Sequence, residues 1–399
     1  MDPVDARQLA ALSEIANAVA ADPALTRSAL AAATGVSRAT VSARVDRLIA
    51  AGVLVDSDAA QAGRGRPAST LRLNRDLGVV AAVDLGAVHC RVALADLGGE
   101  VLGESVQGID IGEGPEPVLG RVDEMIRGLV DGSGRESSAV RAIGIGVPGP
   151  VAFASGTVVR PPIMPGWDGY ALPGFFTDRY AVPVLVDNDV NMMALGEFSH
   201  RREGAHLLYV KVGTGIGCGI VSDGVLHRGA TGAAGDIGHI RVAGHEEKPC
   251  HCGGSGCVEA VASGRAIAAA LREAGLDARG TQDVVRLVAQ GDPVARRRVR
   301  LAGRQIGEVI AVAVSFHNPD TIVLGGSLSE LHEDLLAEIR AVVYRRALPL
   351  ATRSLSIQAS ALGARAGVLG AARLALSHLL APAGLNELLS ARPALRQGS

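Results

Sequence analysis

Three thiols and an imidazole crowd into the second half of the chain: His239, then Cys250, Cys252 and Cys257 at C-x-C-x4-C spacing. Thiolates and a neutral imidazole suit a borderline-soft ion, and four such donors close a tetrahedral zinc site with no position left for water or substrate. The pattern therefore predicts a structural zinc ion. Free buried thiols are the alternative, as is capture of the metal by His245 or His251 in place of His239. Five cysteines are an odd number, and three of them lie within eight residues, so thiolate ligation in a reducing compartment is favoured over a disulfide framework. Cys90 and Cys218 read as buried small residues.

The chain that must position these donors has 399 residues, 48% apolar and 3% aromatic, enough for a sizeable core in two or three domains. No stretch approaches eighteen uninterrupted apolar residues and the first residues are acidic, so the expectation is a cytoplasmic protein without a membrane partner. Arginine far outnumbers lysine, which occurs only as Lys211 and Lys248; this reads as a coding bias. The formal net charge is -2, yet from Arg27 to Arg75 eight arginines face three acids, a local excess suited to a polyanion.

That basic segment carries its own periodicity. Leu9 to Ala20 predicts an amphipathic helix, Thr26 can cap a second, and Gly35 turns the chain before Ser37 caps a third over Arg38 to Ala51. Two short helices around a Gly turn form a helix-turn-helix, and Val53–Val55 with Thr70–Leu73 predict the two strands of a wing. In the third helix Val41, Val45 and Leu48 fall on the buried face. Arg38, Thr40, Ser42 and Arg44, with Ser37 at the helix start, are left to contact base edges and phosphates in a major groove. Between the strands, Gly63-Arg64-Gly65-Arg66-Pro67 is similar to the AT-hook motif, which places Arg64 and Arg66 in a narrow minor groove. The partner expected is a double-stranded DNA operator, read by a homodimer or homotetramer as an inverted repeat.

From Leu77 onward the pattern is α/β. A buried strand ends in Asp84-Leu85-Gly86-Ala87 and a second in Ile145-Gly146-Val147-Pro148-Gly149-Pro150. A third delivers Asp187-Asn188-Asp189 and Asn191 to its C-terminal end, where open α/β sheets bind ligands. These motifs, with Gly213-Thr214-Gly215-Ile216-Gly217-Cys218-Gly219 through Glu259, resemble the ROK family, and in particular its transcriptional regulators; the matches span residues 79 to 327.

The resemblance implies a winged helix-turn-helix over residues 1–76, followed by a bilobal actin-like, sugar-kinase fold. Its small lobe would cover 77–190, completed by a C-terminal helix over 365–380, and its large lobe 191–364 would hold the zinc site and an oligomerisation surface. It also implies roles. Asn188, Asp189, Asp236, His239 and Glu259 match sugar-binding positions, and Asp189 is the position that serves as base in the kinases. Asp84 and Gly86 match a first phosphate corner, and Gly213, Thr214, Gly215 and Gly217 a second.

Three departures decide the reading. The kinase pattern Asp-x-Gly-Gly-Thr is here Asp84-Leu85-Gly86-Ala87-Val88, so one glycine and one hydroxyl are gone and no catalytic residue is assigned. Asp236 stands where the family usually has Glu, and Ile163 where many members place Asn. The expected function is a sugar-responsive DNA-binding regulator, most simply a repressor, with a small-molecule sugar as effector. A sugar kinase fused to a DNA-binding module is the alternative, and a sensor for another protein, or for no ligand, is a third reading. The residues after Pro382 carry no evident role.

Overall fold

The computed structural model describes residues 5–22, 24–57, 69–201 and 204–390. Three helices open the chain: α1 (Ala6–Ala21), α2 (Arg27–Thr34) and α3 (Arg38–Ala50). Each starts on a side chain that satisfies amide groups the helix itself cannot: Asp5 accepts from Arg7 and Gln8, Thr26 from Ala29, and Ser37 from Thr40. Gly35 ends α2 at φ +66°, a left-handed conformation that favours glycine. Strands β1 (Leu54–Ser57) and β2 (Thr70–Leu73) then pair antiparallel. Val41, Val45 and Leu48 are fully buried against Leu12, Ile15 and Leu71, each apolar side chain contributing about 1.5–3 kcal/mol through burial.

Two lobes of like topology follow. The first contains β3 (Val79–Leu85), β4 (His89–Asp96), β5 (Val101–Gly108), α4 (Pro115–Gly132), β6 (Val140–Val147), a short hairpin of β7 (Val151–Ala152) and β8 (Thr157–Val158), α5 (Leu172–Tyr180) and β9 (Val184–Asn188). Its sheet runs β5-β4-β3-β6-β9, with an antiparallel meander at one side and parallel strands at the other. Helix α6 (Asp189–Arg201) crosses to the second lobe, which begins with β10 (Leu207–Val212), β11 (Ile216–Ser222) and β12 (Val225–Leu226). It continues through α7 (Val258–Ala262), α8 (Gly264–Glu273), α9 (Thr281–Ala289), α10 (Pro293–His317), β13 (Thr321–Gly325), α11 (Ala337–Arg346), α12 (Pro349–Thr352) and β14 (Ser356–Ala359). The order β12-β11-β10-β13-β14 repeats the first arrangement: a meander, then two parallel strands.

Helix α13 (Ala366–Leu380) returns to the first lobe and packs on β3 and β6, while α6 packs on β10 and β11. The two helices meet between the sheets at a contact only glycine permits. A Cβ on Gly370 would lie 1.7 Å from the Met192 carbonyl oxygen, and one on Gly196 2.2 Å from that of Ala366. Fully buried Glu197 of α6 adds a polar lock, accepting from Arg201, Ser360, Ala361 and Leu362 just ahead of α13.

The chain past Pro382, without a role on sequence grounds, forms α14 (Pro382–Ser390), which packs against α1. Ser13 of α1 donates to the Leu380 carbonyl at 2.6 Å and Asn17 to the same oxygen at 3.2 Å. The helix-turn-helix unit and the two-lobed unit therefore share a bonded, apolar seam. No single described helix is long and apolar enough to cross a membrane.

Candidate functional site

The cleft between the lobes collects groups from the ends of several elements. Strand β9 ends in Asp187 and Asn188, and α6 begins with Asp189. Asn188 donates to the Gly149 carbonyl at 2.9 Å and accepts from the amides of Val190 and Asn191, which fixes its side chain across the start of α6. Asp187 is held by Arg228 at 2.6 Å and Asn191 at 2.8 Å. Asp189 is buried, and Lys211 near the end of β10 reaches it from the other lobe, with Nζ 2.5 Å from Oδ2. Burial pushes the Asp189 carboxyl above the ordinary range against the pull of Lys211. Burial opposes the Lys211 ammonium too, but the carboxylates of Asp189, Asp84 and Glu259 outweigh it and hold that group above the usual lysine value.

Lys211 is the residue that sequence reasoning missed. Its rarity was the one available signal, and it was read as coding bias. Strand register explains its reach: the cross-strand neighbours of Lys211 are Gly217 and Gly325, which bring no side chains of their own beside it.

The first corner, between β3 and β4, is closed by its own side chain. Gly86 donates to the His89 carbonyl at 2.8 Å, and the His89 ring lies so close over Gly86 that a Cβ there would sit 2.2 Å from it. Behind it both carboxylate oxygens of Asp84 are buried without a hydrogen-bond partner, against Gly367 in the first turn of α13. His89 Nε2 is 3.9 Å from Asp84. Ala87 is partly buried and Val88 is 65% exposed at the tip.

At the second corner, between β10 and β11, Gly213 donates to Gly215 at 3.0 Å, and Glu259 Oε2 accepts from the Ile216 amide at 3.0 Å. A Cβ on Gly215 would meet that carboxylate at 2.6 Å. Arg265 lies 3.5 Å from the other Glu259 oxygen. Thr214 is partly buried at the tip, and Gly217 packs on Val190. A carboxylate thus occupies the rim of the turn whose glycines resemble a phosphate cradle.

Glu259 opens α7 two residues after Cys257, in the loop of the predicted metal site. His239, Cys250, Cys252 and Cys257 place one ligand atom each within 4.8 Å of one another, an arrangement that could hold a metal ion. His239 Nδ1 is 3.6 Å from Cys250 Sγ, and Cys252 Sγ is 3.7 Å from Cys257 Sγ. His239 Nε2 points the other way, 3.8 Å from the largely exposed Asp236. His245 is engaged by Gln305 at 2.6 Å and stands outside the cluster, as does exposed His251. Cys90 and Cys218 are buried away from it, and burial pushes both thiols up to about 12. Ile163 packs at the edge of the first-lobe core.

On the N-terminal unit, Ser37, Arg38 and Thr40 are exposed and Ser42 and Arg44 half-buried. Thr26, Arg27, Ser28, Arg38, Ser42 and Ser69 line a groove of about 310 Å³ where α2, α3 and the root of β2 converge. Arg27 is fixed there by Asp46 and Asp56, and its partnership with Asp56 raises its already high pKa. Arg64 and Arg66 lie outside the described residues.

Residues 80–378 match the model of the ROK family, and residues 2–65 that of the MarR family. A putative xylose repressor of Caldicellulosiruptor sp. is 32% identical over 90% of this chain and 93% of its own. The crystal structure of a ROK family transcriptional regulator, a homolog of the E. coli MLC protein, superposes with TM-score 0.81 and 26% identity over 96% of this chain and 99% of that one. A ROK glucokinase from Streptomyces griseus, crystallised with glucose and AMPPNP, superposes with TM-score 0.65 and 29% identity over 99% of its length but only 75% of this chain. The regulators thus match the N-terminal unit and the lobes together, and the kinase matches the lobes alone: this chain belongs to the ROK family.

Proposed function

We propose that this protein is a DNA-binding transcriptional repressor whose two-lobed unit senses a sugar. The observation that carries the reading is the bonded seam between Ser13, Asn17 and Leu380. It joins a DNA-binding unit to a helix whose other end lies against the cleft. Sugar binding at Asn188, Asp189, Asp236, His239 and Glu259 would favour one arrangement of α6 and α13. Their glycine contact would carry that preference to α1, so that sugar and DNA bind with unequal affinity to two conformations. Xylose is the first candidate effector, on the name of a relative that matches 90% of the chain.

Ser37, Arg38, Thr40, Ser42 and Arg44 would enter the major groove, with Arg64 and Arg66 in the adjacent minor groove. Residues 1–76 would form the DNA-binding domain, 77–190 with 365–380 the small lobe, and 191–364 the large lobe, the whole acting in the cytoplasm as a homodimer or homotetramer. Structural zinc suits the donor cluster. Tetrahedral Zn–S and Zn–N bonds of about 2.3 and 2.0–2.1 Å put ligand atoms about 3.5–3.8 Å apart, and two of the pairs here are 3.6 and 3.7 Å apart. The ion would fix the loop carrying His239 and Glu259.

A thermal-shift screen of sugars, with and without ATP, paired with mobility shifts on the chain's own upstream DNA, tests the reading. The expected result is a sugar that raises the melting temperature without ATP and releases DNA. ATP-dependent sugar phosphorylation abolished by Asp189→Asn would replace it with the kinase reading.

A further inference from the structure

We infer that Lys211 is the specificity-determining residue of the cleft, pairing with Asp189 to recognise two neighbouring hydroxyls of a neutral, unphosphorylated sugar. This rests on the sensor reading above. The ammonium stands 2.5 Å from Asp189 Oδ2, and the two side chains are 19% and 4% exposed. It comes from the opposite lobe, so the pair spans the cleft. A lysine ammonium has three N–H donors and no acceptor, whereas a carboxylate in an ion pair only accepts. With one donor spent on Oδ2, Lys211 has two left, and Asp189 keeps Oδ1. A vicinal diol is the matching group: one hydroxyl donates to Asp189 while the oxygen of its neighbour accepts from Lys211.

The same pair excludes other occupants. Lys211 opposes the rise that burial gives the Asp189 carboxyl, so its charge lessens the carboxylate's basicity toward a sugar hydroxyl. A phosphorylated sugar would bring its dianion to a place where Asp84, Asp189 and Glu259 already surround the single ammonium. At the first corner the His89 ring lies over Gly86, and a nucleotide phosphate would have to displace it.

Calorimetric titration of the full chain tests the inference. The probes are D-xylose and D-glucose, their monodeoxy analogues at each ring position, and D-glucose 6-phosphate, all without ATP. The wild-type protein is expected to bind a neutral sugar, to bind the phosphate ester at least tenfold more weakly, and to lose about 10- to 100-fold for one deoxy analogue, as a charged hydrogen bond implies. In Lys211→Met that deoxy penalty should vanish while the other penalties persist, a pattern that a purely structural role for Lys211 would not produce. Should Met cost the fold by leaving Asp189 unpaired, Lys211→Gln keeps a donor without the charge and should shrink the same penalty. Unchanged deoxy penalties in a folded Lys211 variant, or tighter binding of the 6-phosphate, overturn the inference and leave the sensor reading standing. No binding of any sugar by the wild-type protein overturns the sensor reading and this inference with it.

Discussion

The two lobes begin with the same device, a strand, a tight corner and an antiparallel return, but the corners are finished in opposite ways. The first, from Asp84 to His89, is sealed from within: an imidazole lies over Gly86, and Ala87 and Val88 hand their carbonyls to the amides of Ile111 and Ile109. The second, from Gly213 to Ile216, is held from outside by Glu259, which is anchored beside the Cys257 loop, and by the Gly264 amide bonding the Gly213 carbonyl at 2.7 Å. Phosphoryl transfer needs both corners to clamp one nucleotide, whereas the sugar contacts proposed above, Asn188, Asp189, Asp236, His239 and Glu259, include no residue of the first corner. The difference between the corners therefore separates binding from turnover within one fold.

The comparison can be broken hardest at the metal loop. Cys257→Ser should lower metal content from about one zinc per chain to a small fraction, destabilise the second lobe by several kcal/mol and abolish the sugar response, because Glu259 loses its anchor. Elemental analysis with thermal unfolding reads this out, and full stability with an intact response would detach the second corner from the metal site. A smaller effect should separate the corners directly. Gly215→Ala pushes the Glu259 carboxylate off the Ile216 amide and should cost about 1–3 kcal/mol in urea unfolding. Gly86→Ala should cost less, since the His89 side chain is 44% exposed and can swing into solvent. Equal losses would mean that the two corners are not built differently.

The seam to the DNA-binding unit should yield about 1 kcal/mol. Ser13→Ala with Asn17→Leu removes both donors to the Leu380 carbonyl, and should reduce the sugar-induced change in DNA affinity several-fold while sugar affinity measured without DNA shifts little. Unaltered coupling in mobility shifts would move the route elsewhere. The smallest expected effect is none. Ala87→Gly with Val88→Thr restores the kinase pattern at the first corner, yet ATP-dependent sugar phosphorylation in a coupled assay should stay at background, since His89, Glu259 and the Lys211–Asp189 pair remain. Robust turnover would show that these two substitutions alone separate this chain from a kinase.

What could be read in the sequence was local or periodic. Thr26, Gly35 and Ser37 punctuate the first helices where expected because a cap acts within three residues of itself, and Val41, Val45 and Leu48 follow from helical period. The wing strand Thr70–Leu73 and the cysteine cluster were equally legible, the latter because metal ligands at short spacing need only a tight loop. His89 left no such signal, since nothing in Ala87-Val88-His89 says that the ring folds back over Gly86.

The sequence by itself determined the element types, the family and the donor set that could hold a metal ion, all carried by contacts between near neighbours or by motif spacing. Only the tertiary structure decided how the cleft is wired. Lys211 meets Asp189 because the register of β10 places glycines on either side of it and the α6–α13 contact brings the lobes together. Ser13 meets Leu380, 367 residues away, because α14 gives α1 an apolar surface to pack on. Such pairings arise from the free energy of the whole packed core, in which no short stretch of chain contains both partners, so they leave no local trace to read.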